Sequence, residues 1–196
     1  MFLVAGLGNP GEEYAQSPHN LGFLVVDLLA ERHGIRVSRK ESRALIGLGA
    51  IDGHPVMLAK PQTYMNLSGE SLAPLMEKHE IGVDRLIVVY DELDLGWLAL
   101  KIKPKGSAAG HNGMKSVIGC LGTSEIVRVR LGIHPGHPLD SGKDYLLSPM
   151  RRSQMKELDD FVGYAADAVR SIIAQGVEKA MTRFNRRAPG SPNEEA

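Results

Sequence analysis

Apolar positions along the chain fall into short blocks whose period changes from one block to the next. Phe2–Leu7 is a continuous apolar run that ends beside glycine, the pattern of a buried strand. From Leu21 to His33, apolar residues at 21, 24, 25, 28 and 29 keep a helical period. Asn20 stands where an N-cap belongs and Gly34 where a helix hands over to a left-handed residue. Ala44–Ile51 and Pro55–Ala59 flank Asp52-Gly53, which predicts a hairpin. Leu67–His79 predicts a helix in spite of Pro74, and the wholly apolar Leu86–Tyr90 predicts a central strand. Leu98–Lys103 and Ile126–Ile133 alternate, each with its basic residues on one face, which should be wet. Met114–Leu121 reads as a helix entered through His111-Asn112-Gly113. Gln154–Phe184 reads as mostly helical, loosened near Gly163 and Gly176, and Arg186–Ala196 as a frayed tail. Strands and helices interleave, and one hairpin intrudes. The pattern predicts an α/β fold, a three-layer αβα single domain with a central twisted mixed sheet flanked by helices, over residues 1–187, and a flexible tail over 188–196.

A length of 196 residues suits one domain with its own core, and 43% apolar with 23% charged residues excludes a disordered, collagenous or coiled-coil chain. The single cysteine, Cys120, allows no disulfide within the chain and points to a reducing compartment. Met1–Gly8 has no basic region before its apolar run, and no stretch nears the roughly 20 apolar residues of a membrane span, so a cytoplasmic protein is expected. Charge changes the picture through its distribution. The 23 cations and 23 anions cancel, yet Leu95–Leu139 carries Lys101, Lys103, Lys105, Lys115, Arg128 and Arg130 against Glu125 alone. Just before it, Glu80–Asp94 holds five acids and one arginine. A basic segment thus adjoins an acidic one in a neutral chain.

Gly6-Leu-Gly8-Asn-Pro-Gly11 matches the dinucleotide fingerprint directly after a strand. That site needs a helix to open there, and Pro18, too deep in such a helix, prevents it at a cost of about 3 kcal/mol. The glycines instead suit a loop that passes close to other backbone. Four loops after predicted strands carry unusual polar residues: Asn9 with His19-Asn20, Lys60–Gly69 with Asn66, Asp91–Asp94, and Gly106–Gly113 with His111-Asn112. Loops converging at strand ends form sites in α/β sheets. A histidine, a carboxylate and several carboxamides suit hydrolysis of an ester or amide by water. The histidine takes the proton, the carboxylate orients it, and the amides hold carbonyls and a developing oxyanion without net charge. No G-x-S-x-G elbow is present, and Cys120 lies in an apolar helical stretch, which disfavours a covalent nucleophile. His134-Pro-Gly-His137 reads as a turn rather than a metal site. Asn9-Pro10 and Asn112-Gly113 also serve as turn dipeptides, and Asn66 also suits a helix cap.

Six strings in order, Gly6–Tyr14, His19–Gly22, Lys60–Gly69, Asp91–Asp94, Gly110–Gly113 and Arg128–Ile133, resemble bacterial-type peptidyl-tRNA hydrolases across residues 2–185. The resemblance implies hydrolysis of the ester between peptide and tRNA, recycling tRNA from aborted translation, without metal or cofactor; a monomer is expected because no long exposed apolar helix face demands a partner. It implies His19 as base, Asp91 as its partner in preference to Asp94, and Asn9 as the polarising amide. Tyr14, Met65, Asn66, His111 and Asn112 would then hold the peptide and the tRNA end. Lys101, Lys103, Lys105 and Arg130 would carry tRNA phosphates, and a helix near Tyr145–Gln154 would form a mobile lid. A non-catalytic RNA-binding relative on the same fold, like the plastid splicing-factor homologues, is the alternative. Two stretches depart from the family pattern: Lys105-Gly-Ser-Ala-Ala109, where relatives carry more glycine or small polar residues, and Gly96-Trp97-Leu98, where a Pro/Gly-rich turn is expected. They put loop conformation in question, not the reaction.

Overall fold

The computed structural model describes residues 1–188. Seven strands form one mixed sheet: β1 (Phe2–Gly6), β2 (Arg39–Glu41), β3 (Ala44–Ile51), β4 (His54–Pro61), β5 (Leu86–Gly96), β6 (Leu100–Lys103) and β7 (Val127–His134), in the order β2-β3-β4-β1-β5-β7-β6. The central pairs β1–β4, β1–β5 and β5–β7 are parallel. Antiparallel pairs close both edges. Helices α1 (Leu21–His33), α5 (Arg152–Gln175) and α6 (Val177–Phe184) bury one face of the sheet, and α2 (Ser68–Lys78) and α3 (Asn112–Leu121) the other. A short α4 (Gly142–Leu147) lies between β7 and α5. This is the expected three-layer arrangement. The tail expectation falls mostly on residues 189–196, outside the described residues, but Arg186 is not frayed: its N–H and C=O pair with those of Leu100 and extend the sheet edge.

Local chemistry accounts for the elements. Asp52 and Gly53 both take positive φ, 49° and 81°, the turn that matches strand twist in a two-residue hairpin. Pro74 sits inside α2, as its pattern predicted. An interior proline costs roughly 3 kcal/mol, and burying Leu72, Leu75 and Met76 at roughly 1.5–3 kcal/mol each outweighs it. Gly163 lies within the unbroken α5, while Gly176, at φ 92°, separates α5 from α6. The expected helix over Tyr145–Gln154 is instead split. Pro149 pushes Ser148 into an extended conformation, so the chain leaves α4 at Leu147 and re-enters helix only at Arg152.

The glycine-rich first loop opens no helix at its end. Two single 3-10 turns, Glu12–Tyr14 and Pro18–Asn20, intervene before α1. At Gly22 a side chain would run into the Val89 carbonyl and the Leu7 backbone, so the start of α1 rests directly on strand backbone. That close approach sets His19 against the end of β5.

Candidate active site

β5 does not stop at Tyr90. It keeps its parallel pairing with β7 through Asp91↔Leu131 and Glu92↔Gly132, so Asp91–Asp94, expected as a loop, is strand. Charged residues persist in this buried ladder because each has a partner. Asp91 accepts from His19 Nδ1 at 2.6 Å on one carboxylate oxygen and from His111 Nε2 at 3.0 Å on the other. Glu92 accepts from Arg130 Nε and Nη2 through a single oxygen, at 3.0 and 2.5 Å. Asp94 is exposed and outside this network.

Hydrogen bonds assign the proton positions. The Met114 N–H donates to His111 Nδ1 at 3.1 Å, making His111 the N-cap of α3 and leaving the hydrogen on Nε2 for Asp91. His19 directs Nδ1–H at Asp91, so its Nε2 carries the free lone pair. Burial pulls the His19 pKa down, but the charge and hydrogen bond of Asp91 pull harder and raise it above the usual 6.5. Burial alone would push Asp91 up; the two histidines hold it well below the usual carboxylate range.

Asn9 is fixed on three sides. Its N–H donates to Asn20 Oδ1 at 2.8 Å, its C=O accepts from Asn20 Nδ2 at 2.9 Å, and its own Oδ1 accepts from the Met65 N–H at 2.7 Å. These bonds leave the Asn9 amide nitrogen, a donor, without a partner among the described residues. Asn20 therefore does not cap α1, as its position suggested; its side chain makes no cap bond because both ends clamp Asn9. Asn66 is no cap either: its side chain is exposed and unbonded between Met65 and α2, as is that of Asn112 at the first turn of α3. Met65 is buried, and its sulfur lies where any side chain on Gly113 would have to go, so the second and fourth loops touch. Tyr14 is half-buried in the first 3-10 turn. Cys120 lies in the helix α3, as expected, with its side chain exposed, and the His134–His137 segment is a turn in which His134 Nδ1 accepts from the Gly136 N–H.

The basic residues divide. Lys101 and Lys105 are exposed and Lys103 half-buried. Lys101 lies directly opposite Arg130, and Lys103 opposite Arg128. The face expected to be wet is wet only at the lysines: Arg128 is 1% and Arg130 8% exposed. Arg130, counted with the free cations from sequence, is engaged by Glu92. The positive charge of Arg130, then burial and Lys101, lower the pKa of Lys103. Like charges opposed across strands cost a sheet stability, so this concentration is unexplained by folding alone.

A family model described as peptidyl-tRNA hydrolase matches residues 3–192. The chain belongs to the peptidyl-tRNA hydrolase family. Among its relatives, the peptidyl-tRNA hydrolase of Solibacter usitatus is 79% identical over the whole of both chains, and that of Koribacter versatilis is 49% identical over 95% of this chain and 94% of its own. The crystal structure of peptidyl-tRNA hydrolase from Acinetobacter baumannii superposes with a TM-score of 0.89 at 31% identity, covering 97% of each chain. The family membership read from six short strings is thereby shown. Asn20, Glu92 and the partnership of His111 with Asp91 are the site features that sequence reasoning missed. Only the last left a local signal, a side chain three residues ahead of Met114 in the position of a cap.

Proposed function

We propose that this enzyme hydrolyses peptidyl-tRNA at the ester joining peptide to the terminal ribose, returning free tRNA, with His19 as general base. The observation that carries the assignment is the His19–Asp91 contact at 2.6 Å, which leaves one imidazole nitrogen free. That nitrogen removes a proton from a water as the oxygen attacks the ester carbonyl. Asp91 holds the ring and stabilises the imidazolium that forms. The amide nitrogen of Asn9 donates to the oxygen on which charge develops. When the tetrahedral intermediate collapses, the ribose oxygen leaves and takes up the proton from His19.

Asn66 and Asn112, exposed and unbonded on facing loops, hold peptide carbonyl and amide groups. Tyr14 and Met65 line the same cleft. Carboxamides read the peptide backbone rather than its side chains, which suits a substrate of any sequence. Lys101, Lys103 and Lys105 carry tRNA phosphates, which position a nucleic acid without reading its sequence. A phosphate approaching Arg130 competes with Glu92 for it, so Arg130 mainly supports the field of the lysines.

His19, Asp91 and His111 bring three potential metal-ligand atoms within 4.8 Å of one another. Two of those nitrogens carry the hydrogens directed at Asp91, and the other nitrogen of His111 is held by Met114. A cation would have to displace both hydrogen bonds to Asp91, and the reaction is proposed to run without one. We also place the enzyme in the cytoplasm as a monomer; among the described residues no helix is long and apolar enough to cross a membrane.

Release of free tRNA from a peptidyl-tRNA, measured with a chelator present, tests the reading. The wild type should cleave, and folded His19→Ala should lose roughly 10²–10⁴ in rate. Binding without cleavage by the wild type would favour the RNA-binding alternative; near-full turnover by His19→Ala would remove His19 as the base.

A further inference from the structure

Arg128 is the largest fully buried side chain among the described residues, and it has no carboxylate partner. Its guanidinium donates instead to three carbonyl oxygens, two from the stretch just before it, Ile126 at 3.1 Å and Ser124 at 2.8 Å, and one from a distant loop, Ser107 at 2.8 Å. The Ser124 carbonyl accepts from the Gly106 N–H as well. A buried charge on three carbonyls is an expensive way to fill space. Its geometry matters: a planar fork can serve several acceptors at fixed angles, which an ammonium cannot.

What the fork holds is the segment 104–111. Ser107 lies in its middle, Lys105 precedes it, and the His111 N–H closes on the Ala108 carbonyl at 2.9 Å. His111 then caps α3 and donates to Asp91, and Asn112 follows. A second route runs through Tyr90. Burial pushes the pKa of its hydroxyl up and the charge of Arg128 opposes that, and its ring packs on that of His111 with centroids 4.7 Å apart. Both routes end at His111, and so at the carboxylate that orients His19.

We propose that Arg128 is a positioning residue for the hydrolysis, setting the 104–111 segment so that His111 and Asn112 meet Asp91 and the peptide in register. The proposal rests on the site assignment above. Arg128 is not a phosphate contact, although its place in the basic segment suggested one. Positioning errors of about an ångström cost up to roughly 10²-fold in rate.

Arg128→Lys keeps the charge and loses the fork; Arg128→Gln keeps two donors and loses the charge. Each is compared with wild type in peptidyl-tRNA hydrolysis and in amide hydrogen exchange. The expected result is a fall in kcat/KM of roughly 10–100-fold, with faster exchange confined to residues 107–114 and protection kept in β1 and β5. A folded variant with wild-type kcat/KM overturns the proposal. So does exchange that rises evenly through the sheet, or failure of both variants to fold, since Arg128 would then serve stability alone. Absence of hydrolysis by the wild type would sink the site assignment instead, while the exchange comparison would still report whether Arg128 holds the segment.

Discussion

His19 enters the cleft with one nitrogen tied and one free, and the pH dependence of the reaction follows from what ties it. Only the unprotonated ring accepts a proton, and Asp91 raises its pKa above 6.5. The acid limb of kcat/KM should therefore lie above pH 6.5. Asp91→Asn removes the charge, burial then acts unopposed, and the limb should move to lower pH while the plateau falls by roughly 10²–10⁴. A pH profile of the two proteins measures both; an acid limb that stays in place would detach it from His19. Stability runs the other way. The raised His19 pKa contributes stability that is complete below about 6.5, its unfolded value, and is lost as pH rises through the folded one. The depressed Asp91 pKa contributes above about 3.8 and is lost as pH falls through its folded value. The ion pair is thus strongest between these limits, where the base is largely protonated and idle. His19 and Asp91 were legible as residue types in conspicuous loops. Asn20 was not, since an asparagine before a helix reads as a cap until the backbone of Asn9 is seen beside it.

At the scale of elements, the two stretches that departed from the family pattern are both places where a side chain takes a left-handed backbone. Ala109 has φ 50° and Leu98 φ 67°. Such a conformation costs an L-residue about 1–2 kcal/mol. Leu98 packs against the core and gains from that burial; exposed Ala109 has no such compensation. Ala109→Gly should raise stability by about 1 kcal/mol, or about 2–4 °C in Tm for a chain of this size. Thermal unfolding measures it, and a Tm lowered by the glycine would mean that loop entropy outweighs the relieved strain. Helix and strand existence was read well wherever a period ran for several residues. The end of β5 was misread because charged residues in a ladder depend on partners that lie elsewhere in the chain. The helix expected over Tyr145–Gln154 failed at Pro149, whose effect on the preceding residue is itself local and could have been applied.

For the whole molecule, the feature that matters is a neutral chain that gathers Lys101, Lys103 and Lys105 on and just after β6. Salt dependence should report on it. Each phosphate contact contributes about 0.7–0.9 to the slope of log affinity against log salt. Lys103→Ala should raise KM, flatten that slope by about one contact, and leave kcat unchanged at saturating tRNA. An unchanged slope would take Lys103 off the phosphate path. Arg130 illustrates why sequence overcounts such faces: alternation placed it among the lysines, but β5 brings Glu92 to its guanidinium.

The sequence by itself determined the periodic elements, the hairpin at Asp52-Gly53, the three-layer class and the family, because each is carried by spacing within a few residues or by motifs in order. The tertiary structure alone decided which of the polar residues work together. Asp91 binds two histidines, 72 and 20 residues away, Asn9 is clamped by Asn20 and Met65, and two arginines on one strand are withdrawn from solvent by quite different partners. These choices are made by contacts between distant segments. They have no local period, and they exist only where the fold brings those segments together.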